Sequence, residues 1–125
     1  MLRSFVSLVA LGALACGSPA GPVAVAATER QAIRLLNNTP EPIFYFAIEC
    51  DAAAGANWAA CSNPATCRNI LPGRSGSIAY EEISLYTPSA ERALVFWWHL
   101  RPTGTGGYRP DSIRALQVAL HRPGA

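Results

Sequence analysis

Apolar residues in this chain fall into short blocks separated by turn residues, and long helical stripes are scarce. The first block, Phe5 to Ala15, is uncharged and follows Arg3. Ile43 to Ile48 is aromatic and β-branched, and apolar at consecutive positions. That pattern predicts a central strand covered on both faces. Ser77 to Glu81 alternates and predicts a half-buried strand. Arg92 to Leu100 predicts a second strong strand, with Leu94, Phe96, Trp98 and Leu100 on one face and Val95, Trp97 and His99 on the other. Ile33 to Leu36 and Ser112 to Leu120 fit both periods. For the latter, Ile113, Leu116, Gln117 and Leu120 make a helical stripe, whereas Arg114, Leu116, Val118 and Leu120 make one face of a strand. The strand reading is preferred. Asn37-Asn38-Thr39-Pro40, Leu71 to Gly76 and Thr103 to Gly107 read as turns, Asp51 to Asn69 as a long loop, and Glu82 to Ala90 as irregular chain.

Five or six short strands between turn signals predict an all-β fold, a small antiparallel β-sandwich of immunoglobulin-like or related Greek-key type following an N-terminal signal peptide. The Cys and Trp spacing of an antibody domain is absent, so the architecture is expected without that family.

Arg3, the apolar run and Ala13-Leu14-Ala15 form an export signal. Gly12-Ala13-Leu14-Ala15-Cys16 resembles the lipobox of bacterial lipoproteins, with a small residue before Cys16 and Gly17-Ser18 after it; Ala13 stands where the family usually has Leu. The resemblance implies a mature chain that begins at Cys16, acylated on its sulfur and amino group. More than one chain is what stable anchoring needs. Gly17 is not the Asp that often retains lipoproteins at an inner membrane, so the resemblance implies an outer-membrane address in a two-membrane cell. The alternative is ordinary secretion, with cleavage at Ala24-Val25-Ala26 releasing a soluble protein. The expected division is signal peptide 1–15, flexible tether 16–29 and sandwich domain 30–122. The domain itself resembles uncharacterised bacterial envelope β-domains with a late Trp-Trp-His strand, a resemblance that implies no activity.

The chain carries 10 basic and 8 acidic residues, and all the basic ones are arginines. They are interleaved with the acids and form no run, which argues against nucleic acid as a partner. Export makes a disulfide the expected fate of two of Cys50, Cys61 and Cys67, leaving one thiol over. Cys50–Cys67 is favoured, because it would clamp the base of the long loop. A competing reading gathers Cys50, Cys61, Cys67 and His99 into a Cys₃His metal site, although no C-x₂-C spacing supports it.

No serine lies in a G-x-S-x-G elbow, Glu81 and Glu82 would point to opposite faces of a strand, and His99 is the one candidate base. No catalytic residue and no cofactor are therefore assigned, and an enzyme is not expected. Trp58, within the long loop, and Tyr108 and Arg109, beside Asp111, are the candidate binding residues, against the plainer reading that Trp58 lies on the sheet as a lid. The sequence thus predicts an envelope protein, held to the membrane by its N-terminal lipid, that contacts a protein or glycan through loops of the sandwich.

Overall fold

The structure is a computed structural model and describes residues 21–28 and 30–120. The signal segment, the Cys16 lipobox and His121 to Ala125 lie outside the described residues. Among the described residues seven strands form two antiparallel sheets: β1 (Val23–Thr28), β2 (Ala32–Asn37), β3 (Ile43–Glu49), β4 (Asn69–Ile70), β5 (Ser75–Ala79), β6 (Arg92–Pro102) and β7 (Tyr108–Ala119). One sheet has the order β1-β2-β5 and the other β4-β3-β6-β7. This is the small β-sandwich expected from the apolar pattern.

The core lies between the sheets. Ile33 and Leu35 of β2, Ile43 and Ala47 of β3, Ile78 of β5, and Ala93, Val95 and Trp97 of β6 face one another there. Each is one half of a period-two pattern, as the pleat requires. The outer face of the four-stranded sheet has its own cluster, in which Phe44 and Trp98 are buried under Trp58, Phe46, Phe96 and Leu100. The two faces of β6 are those expected from the sequence, and β3 is central with apolar cover on both sides.

Three expectations are corrected. Val23 to Thr28, read as part of the tether, is strand β1; it pairs with β2 from Val23↔Asn37 to Thr28↔Ala32. The Val-Ala alternation supplies the strand period, and Val23 is fully buried. The Ser77–Glu81 strand begins earlier and stops at Ala79, because Tyr80–Glu82 turns as a short 3₁₀ segment that buries Tyr80. The Glu82 carboxylate accepts from the Ala79 N–H there. Finally, Cys61 pairs with Cys67 and Cys50 is free, so the favoured Cys50–Cys67 bridge does not form. A turn returns the chain after Cys61: Asn63 O accepts from the N–H groups of Thr66 and Cys67, which brings the two cysteine Cα atoms to 5.8 Å. Ser112 to Ala119 is strand, part of β7, as preferred, and Leu120 lies just past its end.

Candidate binding site at one end of the sandwich

The β2–β3 connection sets up one end of the molecule. Asn37, with no exposed surface, closes β2. Its amide donates to Glu41 O and Ile70 O, both at 2.9 Å, and its Oδ1 accepts from Thr39 N at 2.8 Å and Thr39 Oγ1 at 2.6 Å. Its backbone also bonds to Gly73 and Arg74. Asn37 thus ties the β2–β3 connection to β4 through its side chain and to the β4–β5 turn through its backbone, and burial of its amide is matched by partners throughout.

Thr39 Oγ1 lies 3.0 Å from His99 Nε2, and His99 Nδ1 lies 3.9 Å from Glu41 Oε1. The sequence Thr–His–Glu in space has the outline of a nucleophile, base and orienting acid. Proton bookkeeping removes it. The single Thr39 hydroxyl proton faces Asn37 Oδ1 at 2.6 Å and Glu41 O at 2.8 Å, both acceptors only. His99 Nε2 must therefore be the donor to Thr39, and it holds no lone pair for activating that hydroxyl. Glu41 is committed to Arg101, whose Nη1 donates at 2.6 Å, while Arg101 Nε donates to Asp111 at 3.0 Å. Burial pushes the His99 imidazole below its ordinary 6.5, outweighing the opposite pull of Glu41. The Glu41 hydrogen bond raises the already high Arg101 pKa further. The small all-β fold offers nothing that points to enzymatic activity.

A bulge shapes the edge beside this cluster. The β6–β7 register shifts between Trp97 and His99, so Trp98 stands opposite Ser112 and Ile113. Ser112 takes a left-handed φ of 53° there. The shift brings Asp111 opposite His99 and within reach of Arg101. Arg114, on the other side of the bulge, lies over the Trp97 ring at 5.0 Å.

Two cavities open at this end. One, of about 560 Å³, is lined by Ser62, Asn63, Pro64, Ala65, Gly106, Gly107 and Tyr108. The other, of about 210 Å³, is lined by residues including Glu41, Pro64, His99, Arg101 and Tyr108. Pro64 and Tyr108 line both, so the two cavities adjoin between the disulfide turn, the β2–β3 connection and the β6–β7 hairpin.

The sequence candidates fare differently. Tyr108 lines both cavities and Arg109 stands beside it on β7, opposite Arg101. Asp111, next to them in sequence, pairs with Arg101, because the two are brought across the hairpin. Trp58 is not a projecting contact: it stacks on Phe46 at 4.8 Å and Phe96 at 4.7 Å and lies against Trp98. The lid reading holds. The Cys₃His cluster is not assembled. Cys61 and Cys67 are spent in a disulfide, and Cys50 and His99 lie at opposite ends of β6, since Cys50 N–H bonds to Arg92 O. Seven strand steps separate Arg92 from His99, about 23 Å. Among the described residues no group of His, Cys, Asp and Glu has a metal-holding arrangement. Glu41, Thr39 and Arg101 carried no sequence signal, because they meet only across 60 residues of chain.

Compared with known proteins, the chain matches no family model, no curated protein and no solved structure.

Proposed function

We propose that this chain is an exported envelope protein, acylated at Cys16, whose sandwich acts as a non-enzymatic binding or structural module through the loops at its Tyr108 end. The observation that carries the reading is the pair of adjoining cavities between three connections, which share Pro64 and Tyr108, the smaller one lined also by Glu41, His99 and Arg101. Cavities with a few fixed polar groups among apolar walls suit ligand or partner contact. The Cys61–Cys67 disulfide supports an oxidising compartment. Strand β1 supports processing upstream of it, because cleavage at Ala24-Val25-Ala26 would cut through a paired strand. An outer membrane is the proposed address in a two-membrane cell.

Mass spectrometry of the native protein tests the proposal. A mature chain starting at Cys16 with acyl mass added, one disulfide and one free thiol is the expected result. A reduced, full-length, unacylated chain would overturn it.

A further inference from the structure

The anchored reading fixes which end of the sandwich meets the bilayer, and the structure supplies a surface there. The chain is pinned as it enters the fold: Asn38 N–H donates to Pro22 O at 2.8 Å, and Asn38 Nδ2 reaches Gly21 O at 3.4 Å. Asn38 is next to Asn37, so the entry point is at the cavity end. From Cys16 to Gly21 is five residue steps, a reach of about 18 Å at most. An acyl group on Cys16 would hold this end, and not the Cys50 end, against the membrane.

The same end presents two of the large apolar side chains left in solvent. Leu71, in the turn tied to Asn37, is 53% exposed, and Tyr108 is 44% exposed. Tyr suits the headgroup level, where its ring is apolar and its hydroxyl wet. Charge is sorted in the same sense. Glu41 and Asp111 are both taken by Arg101, whereas the exposed Arg74 and Arg109 have no ion pair among the described residues. The opposite end, where Ala32 pairs with Ala79 and Cys50 N–H bonds to Arg92 O, carries the acids Glu49, Asp51, Glu81, Glu82 and Glu91 at or beside it, against the two arginines Arg30 and Arg92.

We infer that the Tyr108 end is a membrane-docking surface: the sandwich stands end-on, with Leu71 and Tyr108 at headgroup level and Arg74 and Arg109 against the phosphates of an anionic phospholipid layer. The inference rests on the lipid-anchored reading, and it names the bilayer surface as the cavity end's partner. Membrane-surface arginines act through their charge, so the contact weakens with salt.

The test uses the mature acylated protein in vesicles of phosphatidylcholine and phosphatidylglycerol. Fluorophores are attached at Thr105→Cys or Gly55→Cys, each in a Cys50→Ser background, and quenched by a nitroxide on the lipid headgroup. Thr105 lies on the β6–β7 turn and Gly55 in the long loop near Cys50. Severalfold stronger quenching at Thr105 is expected, lessened by Arg74→Ala with Arg109→Ala. Equal quenching, or stronger quenching at Gly55, overturns the inference while leaving acylation standing. If mass spectrometry finds no acyl group, the readout becomes co-sedimentation of the unacylated mature chain with the same vesicles. Binding that falls about five-fold per arginine removed still supports the surface. No co-sedimentation overturns it.

Discussion

Gly76 shows how one residue sets the approach of two sheets. A Cβ built there would stand 2.8 Å from Ile70 Cδ1 and 2.9 Å from Ile70 Cγ1. Ile70 is itself buried in the core, so it has little room to move. Gly76→Ala should cost about 1–3 kcal/mol through overpacking. Gly107→Ala is the control, because its Cβ meets only Thr103 Oγ1 at 3.6 Å. That variant should stay within about 0.5 kcal/mol of the parent in denaturant unfolding. The His99 imidazole gives a prediction in pH. Its folded pKa is lowered by burial, so the unfolded chain binds the proton more readily. The contribution of neutral His99 is complete above the ordinary value of 6.5 and is lost as pH falls below it. Parent protein should therefore lose melting temperature faster than His99→Gln between neutral pH and about pH 5. Matching slopes in thermal scans would remove His99 from the acid response. None of this was legible in sequence. Asn37-Asn38-Thr39-Pro40 announces a turn, but its pairing with His99 depends on which loop lands against β6.

At the scale of elements, the long loop keeps to expectation in its tryptophan and departs from it in its disulfide. Its length and its tryptophan were plain in the sequence, and either a projecting contact or a lid was open. The outer apolar row Phe46, Phe96 and Trp98 decides between them, since a sheet face so apolar needs cover. The loop is held by the Cys61–Cys67 turn, and Trp98 Nε1 donates to Cys61 O at 3.0 Å. Trp58→Ala should cost about 2 kcal/mol, below the range for a fully buried ring because Trp58 keeps some exposure. Trp58→Phe should recover most of it, as read from denaturant midpoints. Closing a loop this short stabilises by about 2 kcal/mol on the chain-entropy account. Reduction in a Cys50→Ser background should lower stability by that amount without dissolving the sandwich, and far-ultraviolet circular dichroism checks that the strands remain. The choice of bridge was not legible, because three cysteines at Cys50, Cys61 and Cys67 permit three pairings and only the path of the loop excludes two. Strand β1 was not legible, because the small residues of its Val-Ala alternation also suit a tether.

For the molecule as a whole, β1 decides where the folded domain starts. It pairs with β2 over six residues and buries Val23, while Val25 and Ala27 pack against the core. Removing it would uncover Ile33 and Leu35 and open the edge of β2, a row of unpaired backbone groups ready to join another chain. Full burial makes Val23 alone worth roughly 1.5–3 kcal/mol, and the partly buried Val25 adds to it, a sizeable share of the roughly 5–15 kcal/mol that holds a small domain together. Two chains separate the possibilities. One beginning at Gly21 keeps all of β1 and its bonds to Asn38, and should melt cooperatively as a monomer. One beginning at Ala27, the product of cleavage after Ala24-Val25-Ala26, should lose cooperative melting and associate in gel filtration. Equal melting temperatures for the two would mean that β2 and β5 hold the core without their neighbour, and would reopen the route to a soluble secreted form.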